Sequence, residues 1–125
     1  MTRAELRIFL SSWFCGCGRP EDASKTLLRI LELHPLYDHR AELEAWITDE
    51  GVLELLLHTL DSFDLTEHGG TVGGAWLSAK GEAVRDALCR EQADGFSALH
   101  GDYCIHGIDL TEQHDCVNTP PPESA

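Results

Sequence analysis

Phe63-Asp64-Leu65-Thr66-Glu67-His68-Gly69-Gly70-Thr71-Val72-Gly73-Gly74-Ala75-Trp76-Leu77-Ser78 is the stretch on which the fold turns. Apolar and polar residues alternate with period two from Phe63 to Glu67, as one half-buried strand requires. His68-Gly69-Gly70 is turn chemistry, and Thr71 to Leu77 resumes an extended pattern with Val72 and Trp76. The reading is a β-hairpin. Ser78 then stands where an N-cap belongs, with Ala79, Ala83, Val84, Ala87 and Leu88 at helical spacing behind it, so a closing helix is expected from 78 to about 94. Phe96 and Leu99 extend its packing, and Cys89, beside Leu88, reads as a small buried hydrophobe.

Working back from the hairpin, Asp49 is an N-cap for a helix over about 50–62. Leu53, Leu56, Leu57 and Leu60 lie on one of its sides, making it the most apolar helix and the centre of the core. Before it, Tyr37 to Thr48 forms a shorter helix with Leu43, Trp46 and Ile47 inward. Pro20-Glu21-Asp22 begins a helix over 20–34, with proline at the first helical position and acids at the positive helix end. Ala23, Leu27, Leu28, Ile30, Leu31 and Leu33 give it a wide apolar stripe, and Pro35 stops it. His34, at that end, is read as bonding helix carbonyls. Thr2-Arg3-Ala4-Glu5 fits a capping box that opens a first helix over 3–14, with Leu6, Phe9, Leu10 and Trp13 on one face. Trp13, Trp46 and Trp76 are expected in the core or at its edge.

The fold class that follows is mainly α with a small β-hairpin. Residues 1–19 supply an N-terminal helix and a Cys-Gly-Cys-Gly turn, residues 20–100 the main body, residues 101–116 a Cys/His segment without periodicity, and residues 117–125 a Pro-rich tail expected to be disordered. No internal repeat is present.

The chain has 125 residues, with 22 Asp plus Glu against 9 Lys plus Arg and a formal net charge of −13. Its longest apolar runs fall far short of the roughly 20 residues that span a bilayer, so no membrane helix is expected. Glu5 sits where a secretory signal would carry only cations, and a cytoplasmic protein is expected. Nonspecific affinity for duplexes comes from Lys and Arg displacing counterions, so this charge argues against direct nucleic-acid binding.

Leu65-Thr66-Glu67-His68-Gly69-Gly70 and Ala75-Trp76-Leu77-Ser78-Ala79-Lys80-Gly81-Glu82-Ala83-Val84 resemble the wing and the start of the final helix in bacterial winged-helix domains. The second segment looks like their leucine, Ser/Thr, any residue, Lys, Gly signature. The resemblance covers about residues 21–94. It implies a winged-helix-like body and, in a transcription factor, a basic third helix in the major groove. This chain departs from that pattern. From Asp38 to Glu67 there are nine acids, Asp38, Glu42, Glu44, Asp49, Glu50, Glu54, Asp61, Asp64 and Glu67, against Arg40 alone, and the wing has no Lys or Arg. Such a run is either a solvated face that maintains solubility or an acidic docking surface. With Cys15-Gly16-Cys17-Gly18 near the front, the whole chain also resembles small proteins of actinobacteria and their phages, which implies a host cytoplasm if phage-encoded but no activity.

Cys15-Gly16-Cys17-Gly18 and Cys104-Ile105-His106-Gly107 share the form ligand, residue, ligand, glycine, and His114-Asp115-Cys116 follows the second. Thiolates and imidazoles are the usual ligands of structural zinc, four to a tetrahedral site. The six candidates, Cys15, Cys17, Cys104, His106, His114 and Cys116, allow two arrangements. One is a local site of Cys104, His106, His114 and Cys116. The other joins Cys15 and Cys17 to two of the C-terminal candidates, and closing the longer loop removes more unfolded-chain entropy. The second is preferred because it gives Cys15 and Cys17 a role. Each pair is separated by one residue where two to four is usual, and reduced thiols or a disulfide are the alternatives.

His39, His58 and His68 have no nucleophile or second ligand at useful spacing. The nucleophile elbow, the phosphate-binding loop and the His-Glu-x-x-His zinc signature are absent. The glycine pairs Gly69-Gly70 and Gly73-Gly74 are read as wing flexibility. The function expected is a small, acidic, non-enzymatic protein-interaction module, possessing a structural zinc, whose partner carries a basic surface. Alternatives are a nucleic-acid mimic that inhibits or regulates a host protein, a zinc-dependent enzyme centred on Cys104, His106, His114 and Cys116, and a DNA-binding regulator that uses Arg3 and Arg7.

Overall fold

The computed structural model describes residues 1–13 and 20–99. It is mainly helical, with one small antiparallel sheet. The described chain divides into two units: residues 1–13, 20–25 and 87–99 form one, and residues 26–86 the other.

In the first unit, helix α1 spans Arg3–Trp13. Its start is the expected capping box: the Glu5 N–H donates to Thr2 Oγ1 at 3.1 Å, and the Thr2 N–H donates to Glu5 Oε1 at 3.4 Å. The hydrogen bond from Thr2 holds the Glu5 carboxyl below its ordinary range. Leu6 and Leu10 are buried, and so is Arg7, whose Nε donates to the Leu99 carbonyl at 3.2 Å and whose Nη2 donates to that of Ala98. Arg3 Nε donates to Glu91 Oε1 at 2.8 Å, and Arg90 donates to the Met1 carbonyl. Arg3 and Arg7, named above as candidate phosphate contacts, are thus engaged within the molecule.

The closing helix α5 spans Ala79–Glu91, and a short 3-10 turn over Gln92–Asp94 takes the place of its expected last residues. Gly95 and Phe96 follow in the left-handed region, at φ 67° and 69°. Glycine adopts that conformation freely, whereas a bulky residue is strained there. Burial of Phe96 and the bond from its N–H to the Glu91 carbonyl, 3.1 Å, hold it in place. Cys89 is exposed, contrary to expectation. The α5 face that goes inward is Val84, Ala87, Leu88 and Glu91, and Cys89 stands about 100° around the helix from Leu88.

In the second unit, α2 (Pro20–Glu32) contributes Leu27, Leu28, Ile30 and Leu31 to the core. The helix ends two residues short of the expected 34, because the residue before a proline is driven out of helical geometry. Buried His34 closes it, with Nδ1 bonding the Ile30 carbonyl at 2.8 Å, and the His34–Pro35 peptide is cis. Helix α3 spans Leu36–Trp46 and buries Leu36 and Leu43. Trp46 and Ile47 are half-buried, and the Arg29 guanidinium lies over the Trp46 ring, 4.0 Å from its centroid.

Helix α4 spans Glu50–Ser62, with Asp49 as its cap, Oδ1 accepting from the Val52 N–H at 3.0 Å. Leu53, Leu57 and Leu60 are buried and Leu56 is half-buried. Asp64, at φ 60°, turns the chain out of the helix, a conformation Asp tolerates better than most residues. The hairpin is shorter than its sequence pattern: β1 is Thr66–Glu67 and β2 is Trp76–Leu77, antiparallel, with Thr66 opposite Leu77 and Glu67 opposite Trp76. Thr66 and Leu77 face in. Trp76 is 45% exposed, because the register puts it on the outer face, where its Nε1 donates to Glu67 Oε2 at 3.2 Å. A 3-10 turn over Val72–Gly74 fills the space between the strands.

The junction of β2 with α5 explains the Leu77-Ser78-Ala79-Lys80-Gly81 pattern physically. The Ser78 N–H donates to the Leu65 carbonyl at 3.0 Å, the Ser78 hydroxyl donates to that of Asp64, and the Gly81 N–H donates to Ser78 Oγ at 3.0 Å. One serine therefore caps α5 and ties it to the chain entering β1. A Cβ on Gly81 would lie 2.0 Å from the Leu65 carbonyl oxygen, so only glycine fits.

Candidate functional site

The second unit contains a cleft of about 780 Å³, lined by α3, α4 and the hairpin loop. That volume falls among those of ligand-binding clefts. Its floor is apolar: Leu53 and Leu57, which α4 turns toward the core, and half-buried Ile47 just after α3. Exposed Glu50 and Glu54 of α4 line it as well, together with Thr71 and Gly73 of the hairpin loop. Helical periodicity explains the placement, since Glu50, Glu54, Leu57 and Asp61 fall along one edge of α4.

Arg40 and Glu44 of α3 complete the lining. Arg40 Nε donates to Glu44 Oε1 at 2.7 Å, and Nη1 donates to the Gly73 carbonyl at 2.9 Å. A Cβ at Gly73 would lie 2.6 Å from Arg40 Nη1, so this glycine gives the guanidinium room to reach the loop. That is a more specific role than wing flexibility; Gly69, Gly70 and Gly74 border open space.

The carboxylates of the cleft differ in their surroundings. Glu44 is neutralised by Arg40. Glu54 lies 3.8 Å from His58 Nε2, an ion pair only when that imidazole is protonated. Glu50 has no hydrogen-bond or ion-pair partner among the described residues. Further along α4, Asp61 lies 3.4 Å from His68 Nε2 at the hairpin turn. No Lys or Arg occurs in α4 or from Leu65 to Leu77. On the opposite side of α4, Val52 and Leu55 are exposed, Leu55 to 70%.

Of the nine acids between Asp38 and Glu67, the structure brings Glu44, Glu50 and Glu54 to one cleft. The sequence assigns no site role to Arg40, Thr71 or Gly73, which line the same cleft. A single cation among nine acids, four residues before Glu44 on a helix, was the available signal. All six candidate zinc ligands, Cys15, Cys17, Cys104, His106, His114 and Cys116, lie outside the described residues, as do the Cys/His segment and the Pro-rich tail. Among the described residues, no group of three His, Cys, Asp or Glu side chains is placed to hold a metal ion. No helix among them is long and apolar enough to cross a membrane.

Comparison with protein families, with curated proteins and with solved structures finds no match to this chain.

Proposed function

We propose that the chain is a small, acidic, non-enzymatic interaction module with a winged-helix-like body, which holds a protein partner bearing a basic surface in the cytoplasm. The order α2, α3, α4, hairpin, α5 supports the winged-helix reading, as does the serine and glycine lock between β2 and α5. The observation that carries the function is the charge of the face formed by α4 and the hairpin. In the position of a recognition helix, α4 presents Glu50 and Glu54 beside an open cleft and has no cation of its own. Phosphate would meet like charge there, whereas a basic protein surface would meet its complement.

Neutralising Glu50, Glu54 and Asp61 together tests this reading. The wild-type chain, immobilised at low salt, is expected to retain a basic partner from host extract and to release it as salt rises, while the triple amide variant retains little. Equal retention by both proteins would sink the proposal. A second reading, the nucleic-acid mimic, draws on the single row formed by those three carboxylates, and it adds that duplex DNA competes for the same partner.

Structural zinc, held by four of Cys15, Cys17, Cys104, His106, His114 and Cys116, completes the proposal, and its support is the ligand spacing. Native mass spectrometry of protein purified without chelator or metal-affinity resin is expected to show one zinc per chain, lost on denaturation. A metal-free mass with free thiols would remove zinc from the account.

A further inference from the structure

We propose that the cleft lined by α3, α4 and the hairpin loop is an arginine-reading pocket, which takes an arginine side chain from a basic segment of the partner. This rests on the interaction reading above and sharpens it from a charged surface to a shaped site.

Shape comes first. The cleft has a floor of Leu53, Leu57 and Ile47 and a rim that includes Glu50 and Glu54. An occupant should therefore have an apolar stem and a cationic head, as Arg and Lys do when the stem lies on apolar surface and the head stays polar. Donor geometry then separates the two. Side chains four apart on a helix are neighbours, about 5–6 Å between Cβ atoms, so Glu50 and Glu54 flank one position. A guanidinium offers five donors in a planar fork and can engage two carboxylates at once, whereas an ammonium acts as a point charge. The same cleft already contains a forked guanidinium, where Arg40 bridges one carboxylate, that of Glu44, and the Gly73 carbonyl. Glu50 and Glu54 present two carboxylates on the same cleft, and among the described residues no Lys or Arg pairs with either.

Charge also selects among occupants. A second copy of the chain carries a net charge of −13. Each of its described arginines is already engaged: Arg3 with Glu91, Arg7 and Arg90 with backbone carbonyls, Arg29 with Trp46, Arg40 with Glu44, and Arg85 with Asp86. Nucleic acid and anionic lipid would be repelled. A basic protein segment is the occupant that complements both the floor and the rim.

The test uses the full chain and three helical peptides that differ at one position: arginine, lysine, or citrulline, which keeps the shape of arginine without its charge. Amide shifts in NMR titrations report where each binds. The arginine peptide is expected to move residues 50–57 and 71–73 and to bind about tenfold more tightly than the lysine peptide, the difference one added charge-assisted hydrogen bond supplies. The citrulline peptide should not bind measurably. Glu50→Gln and Glu54→Gln should each weaken the arginine peptide severalfold. Glu42→Gln, on α3 and outside the cleft, should leave binding unchanged. Thr71→Phe, which obstructs the cleft without altering charge, should weaken it, with the fold checked by circular dichroism.

Equal binding of arginine and lysine peptides, weakened alike by Glu42→Gln and Glu54→Gln, would overturn the pocket and leave a diffuse acidic surface, which the interaction reading accommodates. Failure of every peptide, while host partner is still captured through Glu50, Glu54 and Asp61, would also overturn the pocket alone. Failure of both peptide binding and capture would overturn both proposals.

Discussion

The two units use charge in opposite ways. In residues 1–13, 20–25 and 87–99, cations are structural: Arg7 is buried on two carbonyls, Arg3 grips the nearly buried carboxylate of Glu91, and Arg90 reaches the first carbonyl of the chain. In residues 26–86 the interior is chiefly leucine, held by side-chain caps and one tight glycine contact, and the carboxylates of α4 stand outside it. A chain with 9 basic residues against 22 acidic ones still places arginine inside. The guanidinium can satisfy several carbonyls that have no other donor, and that geometric use does not depend on net charge. The contrast shows that the described arginines serve contacts within the chain, while Glu50 of α4 has no described partner.

The sharpest way to break this contrast is Gly81→Ala in the second unit. The added methyl would lie 2.0 Å from the Leu65 carbonyl oxygen. That oxygen cannot retreat without losing its bond from the Ser78 N–H. A helix interior normally gains about 1 kcal/mol from this substitution, but overpacking against backbone should dominate and cost about 3 kcal/mol net. Urea unfolding measures it, with Gly74→Ala, which meets open space, as the neutral control. If Gly81→Ala were as stable as wild type, packing at the β2–α5 junction would not organise the unit.

Arg7→Met makes the corresponding cut in the first unit. It keeps most of the buried stem but leaves the Leu99 and Ala98 carbonyls without their charged donor. Hydrogen bonds to charged groups contribute about 1.5–3 kcal/mol, so a loss of about 2 kcal/mol is expected in the same urea assay. Arg7→Lys should recover only part, because an ammonium cannot reproduce the fork. No loss in Arg7→Met would mean that the buried arginine is incidental.

How much of this was legible in the sequence depended on whether the determinant was local. The Thr2 and Glu5 capping box, the Asp49 cap and the Ser78 cap are set by residues within four positions of one another, and each appears where the sequence places it, while the helix stopped by Pro35 ends two residues early. The strand lengths were not local. Period two continues through Phe63 and Val72, but the bonds from Phe63 N–H to the Thr59 carbonyl and from Gly74 N–H to that of Thr71 draw those segments into turns. Trp76 and Cys89 were misread for a related reason: apolar character suggests burial, and the facing direction is decided by register and by the helix phase that packing selects. Glu50 and Glu54 were legible as acids, whereas the cleft they border needed Gly73 to meet Arg40 across 33 positions.

His34 sharpens the comparison, since it is a titratable group inside the leucine-built unit. Its Nδ1 bonds the Ile30 carbonyl, which requires a proton on that nitrogen, and its buried Nε2 has no partner among the described residues. Burial is the main reason its pKa falls below the ordinary 6.5. The unfolded chain then binds the proton more readily than the folded one. Stability from this site is therefore present above about pH 6.5 and lost as pH falls toward the lowered value, with a slope of at most about 1.4 kcal/mol per pH unit. Urea midpoints of wild type and His34→Gln, compared between about pH 7.5 and 5.5, isolate the contribution from that of the many carboxylates. Parallel pH profiles would show that His34 is protonated without penalty.

The smallest expected effect is the one that ties the comparison to function. Glu50 and Glu54 stabilise nothing evident: the first has no described partner, and the second approaches only His58, at 3.8 Å. Glu50→Gln loses a favourable charge in the first turn of α4, worth about 0.3–1 kcal/mol at an exposed helix start. Both substitutions also relieve repulsion among neighbouring acids, which acts in the opposite direction. The double amide variant should therefore unfold within about 0.5 kcal/mol of wild type, as surface substitutions usually do. A loss well above that would make these carboxylates structural, like the arginines of the other unit, and would remove the reason to assign them to a partner. Near-neutrality, together with weakened partner binding, would separate the two uses of charge by experiment: arginine inside to hold the chain, and carboxylate outside to be met by another protein's cation.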